Sequence, residues 1–177
     1  MEYRIATVSD SEVLTELRMR MRKELDPDFR AELLYAKTLD FFKRNMENGT
    51  HIVFVCEHNG QIIATVGITL FEIMPTTKYT NGRAARLMNM YVDPFYRKRG
   101  IAKELLNRVI TYAEEHQIGK VMLNPSQMGK ALYENYGFRR LPDEYAFYLS
   151  KNGTATYVET EKLSDLDRQC KNPHTRA

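Results

Sequence analysis

The chain has 177 residues, of which 43% are apolar, and its 26 Lys and Arg against 23 Asp and Glu give a net charge of +3. This length suits one domain with a sizeable core, and the mild charge does not by itself indicate a nucleic-acid partner. Two cysteines are too few for a disulfide framework. Neither a membrane span nor a signal peptide is recognisable, so we expect a soluble, cytoplasmic protein without a membrane partner.

The first third of the chain predicts a strand followed by two helices. Residues 3–8 alternate weakly between apolar and polar side chains, as in a strand. A helical stripe of Leu14, Leu17, Met21 and Leu25 follows and ends at Asp26-Pro27. A second helical pattern covers about residues 28–48.

The middle of the chain predicts three long strands. Residues 51–58 and 61–71 flank Asn59-Gly60, a strong signal for a β-hairpin. Residues 74–83 are rich in turn formers, and 86–92 form a mostly apolar strand. These strands should form the centre of a sheet.

The remaining pattern predicts a crossover unit and a C-terminal extension. After Gly100 the apolar residues recur with helical spacing, and a short strand at 120–124 would complete a right-handed strand–helix–strand unit. A brief helix at 128–136 and closing strands at 138–141 and 145–150 follow. We therefore expect one α/β domain over residues 1–150, and over 151–177 an extension with a short strand, a helical turn or a partly flexible tail.

Three basic residues, 97–99, precede Gly100 at the start of the predicted crossover helix. A helix start already carries partial positive charge, so cations there are unfavourable unless an anion binds among them. The P-loop and the dinucleotide fingerprint are both absent. Two interpretations stay open: a phosphate-binding loop in which Gly100 permits close backbone approach, or a solvated basic loop.

Residues 91–113 resemble the acetyl-CoA-binding motif of the GNAT superfamily of acyl-CoA-dependent N-acetyltransferases. The family pattern R/Q-x-x-G-x-G/A is matched by Arg97-Lys98-Arg99-Gly100-Ile101-Ala102, after a strand end Tyr91-Val92-Asp93-Pro94. A second family motif, L-Y-x-x-x-G-F, is matched by Leu132-Tyr133-Glu134-Asn135-Tyr136-Gly137-Phe138. The resemblance covers about residues 3–150 and implies the GNAT fold. That fold is a mixed central sheet of about six to seven strands, with helices on both faces and a splay between the fourth and fifth strands.

The resemblance also implies how acetyl-CoA, the acyl-donor substrate, is bound. In the family, backbone N–H groups of the basic loop hold the CoA pyrophosphate, which corresponds here to Arg97, Lys98, Arg99, Gly100, Ile101, Ala102 and Lys103. The splayed strand pairs through its exposed backbone with the pantetheine arm, here at Met90, Tyr91 and Val92. An N–H near Met90 or Tyr91 would polarise the thioester carbonyl.

The second motif implies the proton donor. Tyr133 matches the tyrosine whose hydroxyl protonates the leaving CoA thiolate; its alternative role is that of a core aromatic residue. The chain departs from the family where an Asn commonly contacts the pantetheine, because Ser126 stands there, with Gly129 where Ala is usual. The resemblance assigns Ser126 and Gly129 to the same region of the CoA site.

No carboxylate lies on the strand before the loop, where some relatives have a catalytic glutamate. Asn89 could orient a water, and Glu72 is the nearest carboxylate that could act as a base, although a solvated strand-end acid is an alternative. His51 and His58 flank a strand, and we expect both to be partly exposed. A water-relayed proton path is the preferred hypothesis.

The acceptor-binding site is the part of the active site that the sequence predicts least well. In the family it binds between the first two helices and later loops. Here Glu24, Asp26 and Asp28 could attract a cationic amine or form a solvated cluster at a helix end. The arginines of residues 17–25 indicate a solvated face or a contact with an acidic partner.

These observations favour an N-acetyltransferase that transfers the acetyl group of acetyl-CoA to a primary amine by direct attack in a ternary complex. The acceptor could be a polyamine, an aminoglycoside-like drug, an amino acid, or a protein N-terminus or lysine. The alternative is a non-catalytic acyl-CoA sensor of the same fold. Nucleic-acid binding through the arginines of 18–22 and 97–99 is disfavoured by the mild charge. No metal is expected, and a homodimer is an open alternative.

Overall fold

The computed structural model describes residues 1–77 and 80–141, which contain a mixed sheet of five strands in the order β1-β2-β3-β4-β5. The pairs β1–β2, β2–β3 and β3–β4 are antiparallel, whereas the pair β4–β5 is parallel. Their bounds are β1 Glu2–Ile5, β2 His51–His58, β3 Gln61–Glu72, β4 Arg83–Val92 and β5 Lys120–Met122.

Four α-helices connect and cover these strands in the described ranges, and all four were predicted. They are α1 Ser11–Leu25, α2 Tyr35–Glu47, α3 Ile101–Glu115 and α4 Lys130–Tyr136. The helix α3 forms the crossover between the parallel strands β4 and β5. Asn59 and Gly60, both with positive φ angles of 52° and 74°, form the tight turn of the predicted β2–β3 hairpin.

Helices pack against both faces of the sheet. Successive side chains of a strand point to opposite faces, so each strand contributes apolar side chains to both contacts. Val53 and Val55 of β2 pack in one cluster with Leu14 of α1 and Phe42 of α2. Phe54 and Cys56, which alternate with them, pack in a second cluster whose other members include Leu105, Leu106 and Val109 of α3. The sheet therefore separates an α1–α2 side from an α3–α4 side.

Strand β4 contains a bulge near its middle and separates from β5 beyond it. Thr65 pairs with Tyr91 and Gly67 with Met88, so β4 has one more residue than β3 between these pairs. Asn89 lies within the bulge with a φ of 58°. The pairing with β5 ends at Arg86, although β4 continues to Val92. The strands thus diverge where the family resemblance implies a splay.

The prediction of six to seven strands is not confirmed, because five are present in the described residues. The segment 138–141 was predicted as a strand and forms none. The physical reason lies at the end of α4, where the N–H of Phe138 donates to the carbonyl of Tyr133 at 3.0 Å. This bond belongs to the C-terminal cap of the helix and occupies a backbone group that a strand would need. The predicted strand at 145–150 lies outside the described residues.

The chain divides into two compact units, Met1–Phe138 and Arg139–Ala177. All the elements named above belong to the first unit. Of the second, only residues 139–141 are described, so the predicted extension over 151–177 lies outside the described part. Within the described ranges, no helix has the length and apolar character needed to cross a bilayer.

Candidate active site

The basic loop ends in a backbone conformation that suits an anion. Lys98 and Gly100 have positive φ angles of 60° and 81°, whereas Arg99 between them does not. All three residues are exposed. Alternation of backbone handedness over successive residues turns N–H groups toward a common concavity, the geometry of an anion-binding nest.

The helix that follows the loop begins without a side-chain cap. Gly100 occupies the position before α3, and no side chain bonds to the first N–H groups of that helix. The first intrahelical bond runs from the N–H of Glu104 to the carbonyl of Gly100 at 3.0 Å. The N–H groups of Ile101, Ala102 and Lys103 precede it and have no intrahelical acceptor. Together with the helix dipole they favour a bound anion at this end.

The side chain of Arg97 holds the loop instead of facing this helix start. Its Nε donates to the carbonyl of Val92 at 2.8 Å, and its Nη2 donates to the carboxylate of Glu24 at 2.5 Å. The hydroxyl of Tyr91 donates to the same carboxylate at 3.3 Å. Arg97 thereby connects the end of β4 to the end of α1.

Beyond the bulge, the edge of β4 that faces β5 is left open by the strands of the described residues. The N–H of Asp93 donates toward β3, to the carbonyl of Ile63 at 2.8 Å. Because successive N–H groups of a strand point to opposite edges, those of Val92 and Met90 point to the open edge. The backbone of Tyr91, by the same alternation, faces β3.

Tyr133 lies in α4 with only 7% of its surface exposed. Burial raises the pKa of its hydroxyl to about 12, so the group stays protonated at neutral pH. Its ring packs edge-on against Phe138, with centroids 5.8 Å apart. The side chain therefore combines a buried ring with a hydroxyl that can only act as a proton donor near neutral pH.

Ser126 and Gly129 lie beside that ring. The Oγ of Ser126 accepts a hydrogen bond from the N–H of Gly129 at 3.2 Å. A Cβ at Gly129 would lie 3.3 Å from both this oxygen and a ring carbon of Tyr133, so glycine permits the close approach. The structure thus brings three of the predicted site residues together.

Asn89 projects to the α1–α2 side of the sheet and is only 7% exposed. Its Oδ1 accepts a hydrogen bond from Nη1 of Arg18 at 3.2 Å. Its Nδ2 is buried and has no hydrogen-bond partner among the described residues. An unpaired buried donor is costly, so this nitrogen is a candidate contact for a bound molecule.

A cavity of about 240 Å³ opens beside Asn89, between α1, α2 and the sheet; we call it the α1–α2 pocket. Two cations contribute to its lining, Arg18 and the exposed Lys37. Its apolar walls come from Phe41, Phe42 and Met88. The pocket is therefore apolar with a positively charged side.

His51 forms the floor of this pocket and is 2% exposed. Its ring packs edge-on against Phe41, and Nδ1 lies 2.8 Å from Oγ1 of Thr69. Burial, together with the charge of Arg18, lowers the pKa of His51 to about 4. The expectation that His51 is partly exposed is wrong, because α2 covers the start of β2. His58 at the other end of β2 is half-buried, as expected.

The structure does not bring Glu72 to this region. Glu72 is exposed and pairs with Arg83, five residues along β3 from Gly67, which is roughly 17 Å at strand spacing. Two acidic residues at the end of α1 already have hydrogen-bond partners. Glu24 contacts Arg97, and Oδ1 of Asp26 accepts from the N–H of Asp28 at 3.0 Å.

Sequence reasoning missed the α1–α2 pocket. The pattern of residues 28–48 predicted only a helix, and the arginines of residues 17–25 were interpreted as a solvated face or a contact with an acidic partner. One signal was present: Arg18 lies four residues after Leu14 and three before Met21, within the apolar stripe of α1. A cation in an apolar stripe indicates either a buried partner or a ligand.

The comparisons with known proteins agree with this geometry. Residues 15–138 match the model of the Acetyltransferase (GNAT) family. A predicted acetyltransferase from Clostridium acetobutylicum, solved with acetyl-CoA, is 29% identical; the match covers 83% of this chain and 95% of that one, with a TM-score of 0.76. A GCN5-related N-acetyltransferase from Ralstonia eutropha JMP134 is 25% identical, with 82% and 96% coverage and a TM-score of 0.74.

A more distant structure shows the same fold. Glucosamine-6-phosphate N-acetyltransferase from Arabidopsis thaliana is 18% identical, with coverage of 85% of this chain and 100% of that chain and a TM-score of 0.63. Because the family model spans well over half of the sequence, the chain belongs to the GNAT acetyltransferase family. In residues 1–77 and 80–141, no cluster of three or more potential metal ligands is present.

Proposed function

We propose that this protein is an N-acetyltransferase that transfers the acetyl group of acetyl-CoA to a primary amine by direct attack in a ternary complex. The observation that carries the proposal is the continuity of two sets of free backbone donors. The open edge of β4 leads from the bulge to the basic loop, and the loop leads directly to the uncapped start of α3. The similar protein from Clostridium acetobutylicum was solved with acetyl-CoA, which supports the same donor here.

The loop and the start of α3 bind the pyrophosphate in this proposal. The N–H groups from Lys98 to Lys103 supply hydrogen bonds, whereas that of Arg97 donates to the carbonyl of Pro94 at 3.4 Å. Lys98 and Arg99 supply positive charge from exposed positions. Arg97 acts as a positioning residue, since its guanidinium is bonded to Val92 and Glu24. Ser126 and Gly129 border the pantetheine region next to Tyr133.

The backbone of β4 positions the thioester. Of the two N–H groups that the resemblance suggested, that of Met90 is favoured over that of Tyr91, because strand alternation directs it to the open edge. A fixed N–H donor polarises the carbonyl and stabilises negative charge that develops on its oxygen. The N–H of Val92 is then free to pair with the pantetheine arm.

Tyr133 serves as the general acid toward the departing CoA sulfur. Its raised pKa keeps the proton on the hydroxyl until the C–S bond breaks. The thiolate that forms is then protonated, and CoA leaves as the thiol. A phenylalanine at this position would preserve the packing against Phe138 and remove only the proton donor.

Proton removal from the amine is assigned to a water path. His51 is a weak base because its pKa is lowered to about 4, and Glu72 lies far along β3. The free Nδ2 of Asn89 can hold a water by donating to its oxygen, which leaves a lone pair of that water for the amine proton. Asn89 thus keeps the water-positioning role suggested by its place on β4.

One observation favours the alternative of a non-catalytic acyl-CoA sensor. Strand β4 itself carries no carboxylate, and the pKa of the nearby His51 is lowered to about 4. A sensor would bind acetyl-CoA through the same loop and release no thiol. The presence of Tyr133 at the expected place favours the enzyme.

The test is a free-thiol assay with acetyl-CoA and a panel of amines, repeated with Tyr133→Phe. We expect thiol release that requires an amine and that falls strongly in the variant. Acetyl-CoA should also raise the melting temperature. Stabilisation without any amine-dependent thiol release would identify a sensor, and the absence of stabilisation would refute the proposed function altogether.

A further inference from the structure

Arg18 is a half-buried cation with no acidic partner among the residues that the structure describes. None of the ion pairs formed by the described residues includes it. Within the described ranges its side chain donates a single hydrogen bond, to the neutral amide of Asn89. Burial and the nearby charge of Arg22 lower the pKa of Arg18, yet a guanidinium stays protonated at neutral pH. Desolvating a charge without a counter-ion is unfavourable, so the pocket favours a bound anion.

The remaining charges strengthen this preference. Lys37 adds a second cation at the exposed rim of the α1–α2 pocket. The carboxylate of Glu24, at the end of α1, is already bonded to Arg97 and Tyr91. A polyamine would meet like charges here and lose affinity.

The anion is better matched by a carboxylate than by a phosphate. A guanidinium presents a planar fork of N–H donors that fits the two oxygens of a carboxylate. The half-buried Arg18 balances one negative charge, whereas a phosphate monoester carries about −1.5 to −2 at neutral pH. Its second charge would be met only by the exposed ammonium of Lys37, where water screens the attraction. The walls of Phe41, Phe42 and Met88, with the neutral His51, suit an apolar side chain beside that carboxylate.

The volume of the α1–α2 pocket and its distance from the proposed thioester site restrict the class of acceptor further. The volume of about 240 Å³ lies below the roughly 300–1,000 Å³ typical of sites for drug-sized ligands. Asn89, which contacts Arg18, is the chain neighbour of Met90, the proposed site of the thioester carbonyl. The two Cα atoms are therefore only about 3.8 Å apart. The carboxylate and the reacting amine must then lie close together in the same small molecule.

We propose that the acceptor is an α-amino acid with an apolar side chain, whose carboxylate binds Arg18 and whose side chain enters the α1–α2 pocket. The inference rests on the proposed acetyl transfer and names its substrate class. Arg18 acts as the anchor for the carboxylate, Lys37 adds charge at the rim, and the oxygen of Asn89 positions the guanidinium. The free amine is thereby directed toward the bulge of β4.

The experiment measures acetyl-CoA-dependent thiol release by the full chain with matched acceptors. Leucine, methionine and phenylalanine are each compared with the corresponding amide, and phosphoethanolamine and spermidine represent the phosphate and polyamine classes. We expect the wild-type kcat/KM for each acid to exceed that for its amide by at least about tenfold, the usual scale of one charged hydrogen bond. A preference for the amides, for phosphoethanolamine or for spermidine overturns the inference.

Variants of Arg18 test the anchor directly. Arg18→Gln should lower kcat/KM for leucine by roughly 10- to 100-fold, mainly through KM, and leave leucinamide within about threefold. Arg18→Lys, which keeps the charge without the fork, should recover part of the loss. Arg20→Gln, an exposed position on the same helix, is the matched control and should change neither acceptor. Equal losses for acid and amide in Arg18→Gln overturn the anchor role.

Acetyl-CoA binding distinguishes a failure of the proposed acceptor class from a failure of the proposed function. If acetyl-CoA raises the melting temperature but no amino acid of the panel is acetylated, the substrate class is wrong and donor binding stands. If acetyl-CoA does not stabilise the protein at all, the proposed function itself is wrong.

Discussion

The guanidinium of Arg97 lies 2.5 Å from the carboxylate of Glu24, so the basic loop is joined to the C-terminal end of α1. The first basic residue of the loop therefore stabilises its conformation, whereas Lys98 and Arg99 are exposed. The guanidinium of Arg99 lies 5.4 Å from the ring centre of Tyr96 and bonds to no carboxylate of the described residues. Arg97 thus stabilises the loop, whereas the guanidinium of Arg99 is available to a ligand.

This difference predicts that two similar substitutions affect different properties, one the stability of the fold and the other the affinity for acetyl-CoA. Arg97→Gln should lower the free energy of unfolding by about 1 kcal/mol, because it removes the hydrogen bond to the carbonyl of Val92 and the partly exposed ion pair with Glu24. Arg99→Gln should leave stability within about 0.5 kcal/mol and raise the Kd for acetyl-CoA about two- to fivefold. Urea denaturation and calorimetric titration at two salt concentrations measure both quantities. Equal stability losses in the two variants would contradict the assignment.

Gly100 offers a second prediction, because its φ of 81° suits glycine and a Cβ there would meet no atom within 4 Å. Gly100→Ala should cost about 1–2 kcal/mol of stability through backbone strain alone. It should also weaken acetyl-CoA binding, because the added methyl group obstructs close approach of an anion to the backbone.

Gly60→Ala provides the matched control for that substitution. Gly60 has a φ of 74°, equally open surroundings and a place in the β2–β3 hairpin turn. Its replacement should cost a similar amount of stability and leave the Kd for acetyl-CoA unchanged. Equal Kd values for both variants would return the loop to a purely structural role.

Tyr133→Phe should lower kcat by roughly 10²- to 10⁴-fold, the usual range for loss of a general acid. The Kd for acetyl-CoA and the melting temperature should change little, because the ring still packs against Phe138. Tyr136→Phe is the control; its hydroxyl donates to Oδ1 of Asn107 at an exposed position 2.9 Å away. A comparable loss of kcat in both variants would contradict the proposed role of Tyr133.

The buried His51 predicts how stability depends on pH. Its folded-state pKa of about 4 lies below the value of about 6.5 in an unfolded chain. Between these values the unfolded state binds the extra proton, so stability is complete above pH ~6.5 and falls as the pH drops toward 4. The loss amounts to about 3 kcal/mol from this group. Below pH 4, His51 contributes no further change.

His51→Gln should flatten this dependence between pH 6.5 and 4.5, measured by urea denaturation at half-unit steps. His58→Gln, at the other end of β2, keeps His51 and should retain the slope. A slope that survives in His51→Gln would show that another group controls stability in this range.

The elements that could be predicted are those whose pattern is local. Leu105, Leu106 and Val109 have helical spacing, and all three are buried in α3, because one face of a helix must meet the sheet. Asn59-Gly60 predicted a tight hairpin for an equally local reason. The strand at 138–141 was wrong because the N–H of Phe138 is used by the end of α4, which the apolar pattern does not reveal.

The donor half of the candidate site was determined by the sequence itself. Residues 91–103 and 132–138 are two short segments that match motifs of the GNAT family. The turn and the helix start follow from local backbone preferences, and the resemblance implies the role of Tyr133. The acceptor half was decided by the tertiary structure alone. Arg18, Phe41, His51 and Asn89 come from four different elements and share no spacing. They meet because α1 and α2 pack on the face of the sheet to which the bulge of β4 turns Asn89, and long-range packing of this kind leaves no periodic signal in the chain.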